Sequence, residues 1–221
     1  LCPGDINKFV FTSSGAEANE TAVKMARQFT GRKKIMARYR SYHGSTGTAV
    51  AMTGDFRRTH NSPTDPNVVH FHCPYPYSFD WSSTNDPAEI CKNALASFRE
   101  SLTQEGPDYI AAVYLESVTG SNGLLVPPPG YLEGVRAICD EYGILLCFDE
   151  VMAGFGRTGH LFGFSHTNVI PDIVTFAKGV NGSFLPLGGV AMRQKIGDHF
   201  LDNPLWSGGT YNGHPAALAS A

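Results

Sequence analysis

Gly143-Ile-Leu-Leu-Cys-Phe-Asp149-Glu150 is the stretch on which the fold turns. The five apolar residues from Ile144 to Phe148 show no polar alternation. Such a run predicts a strand buried on both faces, as in parallel sheets covered by helices. It closes on two acids, and an acid at the C-terminal end of a parallel strand lies on the edge where α/β sheets bind ligands. Residues 130–142 before it carry a helical period, and Gly143 stands where a C′ glycine ends a helix. The same alternation continues outward. Strands are predicted at Lys8–Thr12, Lys34–Ala37, Ile110–Glu116, Gly143–Asp149 and Asp172–Ala177. Helices are predicted at 16–30, 87–104 and 130–142, the first ended by Gly31. Strand–helix repetition of this kind predicts an α/β fold with a mainly parallel central sheet. Residues 61–85, rich in Pro, Ser, Tyr and His, are expected to be an irregular surface excursion.

Composition narrows the function. Of the 221 residues, 42% are hydrophobic and 17% charged, an ordinary globular balance. The net charge of −3 and the absence of a basic block give a nucleic-acid partner no support. No apolar run approaches the ~20 residues of a membrane helix, so no membrane role is expected. The five cysteines are irregularly spaced without a C-x-x-C, a usage that suits a cytoplasmic location. The chain starts at Leu1 and stops within the helix-like run after Pro215, and is expected to be an interior piece of a longer protein. With no repeat or linker, it is expected to form one domain.

Three constellations carry chemistry. Thr12-Ser-Ser-Gly-Ala-Glu-Ala-Asn19 follows a predicted strand, and Ser14 with Glu17 forms a capping box that starts a helix. A Gly-containing strand-to-helix turn presents backbone N–H groups and the positive dipole end, which hold phosphate. The plain alternative is a capped helix without a ligand. Asp149 at a strand end serves equally as a metal ligand, a general base, a counter-ion to a cationic ring nitrogen, or a mere cap. Ala177-Lys178-Gly179 closes another apolar strand. Burial there would lower the lysine pKa and favour the free amine needed to form an imine, the alternative being a snorkelling side chain. Together the three supply what pyridoxal phosphate requires: an anion cradle, a carboxylate for the pyridinium nitrogen, and an imine-forming lysine.

On these residues the chain resembles the class III pyridoxal-phosphate aminotransferases of fold type I. The matching stretches are Ser13–Asn19, Tyr42-His-Gly44, Pro127–Tyr131, Asp149-Glu-Val151, Gly154–Gly159, Ala177-Lys-Gly179, Pro186-Leu-Gly188 and Gly209–Pro215, in family order. The resemblance implies the large, cofactor-binding domain over 1–221, with helices on both faces of the sheet and the N-terminal segment and C-terminal small domain missing. It implies that Ser14, Gly15 and Ala16 hold the phosphate of pyridoxal 5'-phosphate. Tyr42 and Val151 would flank the ring, Asp149 pair with its nitrogen, and Lys178 form the internal aldimine. Thr210 would reach the phosphate of the neighbouring subunit in a homodimer with a shared active site. His43 and Glu116 are candidates for the substrate side.

The implied reaction moves an amino group from an omega-amino acid or amine donor to a 2-oxo acid acceptor. Two departures from the family pattern stand out. Ser117 replaces a usual proline after Glu116, a change expected to act on the local turn. Ser121 stands where 2-oxoglutarate-specialised members carry a glutamate that pairs with a mobile arginine, which favours pyruvate as acceptor. Within the fold, an aminomutase, racemase or decarboxylase is the rival reading. A truncated, inactive cofactor-binding fragment is another. From a different class, a metal-dependent hydrolase would use His70, His72 and Asp149, with Cys73 nearby, although further ligands are not evident. Tyr75, Tyr77, Phe79 and Trp81 are expected to pack a loop, and Arg157 to order the glycine-rich turn after Asp149.

Overall fold

In the computed structural model, residues 2–61, 65–77 and 79–221 are described. Among these residues seven strands form one sheet, ordered β1-β7-β6-β5-β4-β2-β3. They are β1 Ile6–Thr12, β2 Lys34–Arg38, β3 Val68–Phe71, β4 Ile110–Glu116, β5 Leu145–Asp149, β6 Ile173–Phe176 and β7 Gly188–Arg193. β3, β2, β4, β5 and β6 run parallel, whereas β7 is antiparallel to both β6 and β1. β1 therefore points the same way as the parallel set, and six strands end on one edge.

The long helices fall where the periodicity predicts. α1 spans Gly15–Thr30, α4 Pro87–Glu105 and α5 Tyr131–Tyr142. Shorter helices are α2 Gly47–Met52, α3 Phe56–Thr59, α6 Gln194–Asp202 and α7 Pro215–Ala219. Gly31 and Gly143 cap α1 and α5 at φ 70° and 60°, a left-handed turn that glycine enters without a Cβ penalty.

Two apolar layers cover the sheet, and the strands divide their side chains between them by the two-residue period. Val113 and Leu115 of β4 enter the layer under α4 and α5, with Phe98, Val135 and Ile138. Ala112 and Tyr114 face the layer under α1 and α6, with Ala22, Met25 and Ile196. Every residue of β4 and β5 is buried, as an unbroken apolar run requires.

One expectation is corrected. Residues 61–85 are not wholly irregular, because Val68–Phe71 add β3 parallel to β2 at Ile35–Arg38. Of that segment, residues 62–64 and 78 lie outside the described residues. The remainder packs as a loop, with Trp81 buried and its Nε1 donating to the Cys73 carbonyl at 2.9 Å. No helix among the described residues is long and apolar enough to cross a membrane.

At the sheet edge opposite the strand ends named above, Asp172 binds β5 to β6. Its Oδ2 accepts from Arg136 at 2.7 Å and from the Leu146 N–H at 3.0 Å, while Arg193 and Lys195 approach Oδ1 at 3.6 and 3.3 Å. Burial works to raise the Asp172 pKa, but the neighbouring Arg136 guanidinium and the backbone donor hold it below its ordinary value. A depressed carboxylate stabilises the fold above its unfolded pKa and loses that contribution as pH falls through the folded value. Asp172→Ala is therefore expected to cost about 3 kcal/mol near neutral pH, since the Leu146 N–H and the largely buried Arg136 lose their acceptor and Arg136 keeps only the exposed Asp140 as an ion-pair partner. The deficit relative to wild type, measured by thermal unfolding, should shrink below about pH 4.

Candidate active site

The turn into α1, the end of β5 and the turn after β6 meet around a cavity of about 270 Å³ on the C-terminal edge of the sheet. Gly15, Ala16, Tyr42, Asp149, Val151 and Lys178 all line it. So do Asn19, His43, Glu116, Ser121 and Met152. Three sequence-distant motifs thus share one pocket, because the strands preceding them end on the same side.

The helix start is built as the capping box predicts, with one difference. Ser14 Oγ accepts from the Glu17 N–H at 3.2 Å, but Glu17 Oε2 reaches back to the N–H of Ser13, at 2.8 Å, rather than that of Ser14. Gly15 and Ala16 are the first helical residues, so their N–H groups have no intrahelical acceptor and face the cavity end of the helix dipole. A Cβ added to Gly15 would stand 2.9 Å from both Val151 methyls, so only glycine lets the helix start sit this close to the β5 turn.

Asp149 is almost fully buried and its carboxylate is held from three directions. Oδ2 accepts from Asn19 Nδ2 at 2.8 Å and pairs with His43 Nδ1 at 2.8 Å, while Oδ1 accepts from the Val151 N–H at 3.0 Å. Asn19 is fixed in turn by Tyr114 Oη at 2.8 Å and by the His43 carbonyl at 2.6 Å. His43 lines the cavity, yet its ring is turned to Asp149 and edge-on to Tyr114, and its Nε2 is buried without a hydrogen-bond partner. Asn19 and Tyr114 were not singled out by sequence. Asn19 closes the Ser13–Asn19 motif, and a polar side chain on the inner face of a helix was the available signal.

Glu116 is also buried at the cavity wall. Its Oε1 accepts from the Tyr42 N–H at 3.0 Å and its Oε2 from the Gly120 N–H at 2.8 Å. Burial raises its pKa, opposed by His43 and reinforced by the nearby Asp149 charge. Lys178 corrects a second expectation. It is exposed rather than buried, since β6 ends at Phe176 and the chain turns outward with Lys178 at φ 45°. A positive φ is costly for a non-glycine residue and is typical of positions held for function.

Other candidates fall elsewhere. Thr210 is exposed and outside the cavity lining. Arg157 is exposed and makes no hydrogen bond or ion pair among the described residues, so it does not order its turn. That turn is closed by the Phe155 N–H on the Leu161 carbonyl at 2.5 Å and the Gly159 N–H on the Gly156 carbonyl at 3.1 Å. His70 Nε2 lies 3.1 Å from the Met52 carbonyl, and His72 packs against Tyr39 and Phe79. No three His, Cys, Asp or Glu side chains among the described residues cluster as metal ligands.

Glu150 was likewise missed. Its side chain points away from the cavity and accepts from Ser117 Oγ, from the Gly163 N–H at 2.6 Å and from the Phe164 N–H at 3.3 Å. Ser117 therefore does more than shape a turn; it supplies a donor to a buried carboxylate.

The whole chain, residues 1–221, matches the family model for class-III aminotransferases. It is 37% identical to the taurine–pyruvate aminotransferase of Bilophila wadsworthia, over 99% of this chain and 51% of that protein. Among solved structures it resembles the taurine:2-oxoglutarate aminotransferase of Bifidobacterium kashiwanohense, in complex with PLP and glutamate. That likeness has a TM-score of 0.94 at 48% identity, and covers 97% of this chain and 49% of the other. An (S)-enantioselective omega-transaminase from Thermomicrobium roseum gives a TM-score of 0.95 at 40% identity, covering 100% of this chain and 51% of the other. The chain spans about half the length of the curated relatives it matches.

Burial raises the Glu150 pKa from 4.5 to about 7 despite its three donors, with Asp149 adding to the shift. A carboxylate whose folded pKa is raised binds more protons folded than unfolded between those values, so stability falls as pH rises through that window. Thermal unfolding of wild type should show a loss between about pH 4.5 and 7, of up to roughly 3 kcal/mol. Glu150→Gln should flatten that slope.

Proposed function

This chain belongs to the class-III aminotransferases, and from that premise we propose that it forms the large, cofactor-binding domain of a pyridoxal-phosphate-dependent transaminase. The enzyme takes the amino group of an omega-amino acid or amine and delivers it to a 2-oxo acid. The observation that carries the proposal is the convergence of Lys178, Asp149 and the start of α1 on one cavity.

The residues present suit the cofactor. The free N–H groups of Gly15 and Ala16, beside the Ser14 cap, offer a cradle for a phosphate dianion, and the Gly15 contact leaves no room for a side chain there. Tyr42 and Val151 stand on the cavity wall to flank an aromatic ring. The buried Asp149 carboxyl would face the ring nitrogen, and its contacts with Asn19, His43 and the Val151 N–H keep it aimed. When bound, pyridoxal phosphate supplies an electron-withdrawing ring that takes up the electron pair left as a proton leaves the substrate carbon.

Lys178, at the cavity wall, would supply the amine that holds the cofactor, and its Nζ would be the group that carries a proton to and from the substrate carbon. Glu116 and His43 border the substrate side, and Glu116 fixes the Tyr42 backbone. Thr210, exposed here, is assigned to the phosphate of the neighbouring subunit in a homodimer.

For the acceptor we propose pyruvate, because Ser121 at the cavity wall offers no carboxylate to a mobile arginine. The 48% identity to a taurine:2-oxoglutarate aminotransferase favours 2-oxoglutarate instead. Both this relative and the taurine–pyruvate enzyme act on taurine, which makes a short amine with a terminal acid group the donor to assay first.

In the full-length enzyme, borohydride reduction followed by peptide mapping should place the label on Lys178. Lys178→Ala should take no label and lose at least about a thousandfold in kcat. Donor added without acceptor should accumulate pyridoxamine phosphate, which a racemase or decarboxylase would not do. A kcat/KM higher with 2-oxoglutarate than with pyruvate would overturn the acceptor assignment.

A further inference from the structure

Against the Tyr42 ring lies a charged assembly to which the proposed chemistry gives no part. The Arg57 guanidinium sits 4.2 Å from the centroid of the Tyr42 ring, within cation–π range. Arg57 does not line the cavity. It is clamped by Asp55, whose Oδ1 and Oδ2 accept from Arg57 Nε at 3.1 and 3.0 Å and whose Oδ1 also accepts from the Arg57 N–H at 2.9 Å. Asp55 is fixed from outside its own turn by Asn122 Nδ2 at 3.0 Å. Asn122 adjoins Ser121, which lines the cavity.

The turn that presents this clamp cannot drift. Gly54 accepts the Arg40 N–H at 2.9 Å and donates to the Ser41 carbonyl at 3.0 Å, and a Cβ on it would stand 2.2 Å from the Arg38 carbonyl oxygen. Asp55 starts one residue later, so the clamp is registered against the very segment that carries Tyr42. A guanidinium whose fork is already engaged gives up little freedom on stacking against a ring.

We propose that Arg57 is a positioning residue for the active site, holding the Tyr42 ring through a cation–π contact. Asp55 and Asn122 lock it in place, so that the Tyr42 wall and the Ser121 wall of the cavity move as one. The inference rests on the assignment of Tyr42 as a wall against the cofactor ring.

The test is a double-mutant cycle on the full-length enzyme, read as the dissociation constant of pyridoxal phosphate and as the visible circular dichroism of the saturated protein. Arg57→Ala should weaken cofactor binding roughly 5- to 30-fold and reduce the dichroic amplitude. Arg57→Lys should recover part of both, and Asn122→Ala should fall between Arg57→Ala and wild type. In a Tyr42→Leu background, Arg57→Ala should cost less than about twofold, because the ring it acts through is gone. If Arg57→Ala fails to fold, Arg57→Gln takes its place in the cycle.

Additive losses in the double variant, or unchanged affinity and dichroism in Arg57→Ala, overturn the inference and leave the Tyr42 assignment standing. If Tyr42→Leu alone binds cofactor as tightly as wild type, the Tyr42 assignment fails and the inference falls with it.

Discussion

A carboxylate taken out of water must be surrounded by donors or it does not stay charged. The buried Asp149 carboxyl is met by Asn19 from α1, by the His43 ring from the segment after β2, and by the Val151 N–H of its own turn. Each donor is itself fixed. Asn19 is held by Tyr114 from β4, and the His43 N–H donates to Thr53 Oγ1 at 3.0 Å. Satisfying one buried carboxyl group therefore sets the relative positions of α1, β4, β5 and the Tyr42–Gly44 segment. The cavity walls follow from that.

The same economy appears one residue later. Glu150 alternates with Asp149 across the strand end and turns to the opposite side, where Gly163, Phe164 and Ser117 receive it. The two adjacent acids thus pin both sides of the sheet edge, one facing the cavity and one facing the loop after β5. A proline at position 117 would supply no side-chain donor. Serine there brings the β4 end into hydrogen-bond contact with the β5 turn, a link invisible from the sequence motif alone.

Much of this was legible in the residues. Unbroken apolar runs such as Ile110–Leu115 and Leu145–Phe148 have no plausible home but a doubly covered strand, and Gly31 and Gly143 announce helix ends. β7 was not legible, since Gly188-Gly189 dilute its pattern; the glycines are there because a Cβ would strike the Ser14 backbone at one position and Phe176 at the other. β3 was hidden for another reason: four residues within a polar, aromatic stretch give no period to read. In the site, strand-end residues were found because their neighbours are extreme in character. Asn19 and Tyr114 sit inside regular elements, where only packing reveals that their polar atoms converge. The exposure of Lys178 was misjudged because its apolar neighbours belong to β6, which stops two residues earlier.

The antiparallel insertion of β7 has a consequence for how the protein is made. Among the described residues β1 pairs only with β7, with Thr12 opposite Gly188, so its ladder waits until the roughly 175 intervening residues have left the ribosome. At cellular elongation speeds that interval is on the order of ten to thirty-five seconds. For its duration the stretch bearing Phe9 and Phe11 lacks its ladder partner. An unpaired strand of this kind is a surface that holdase chaperones mask during synthesis.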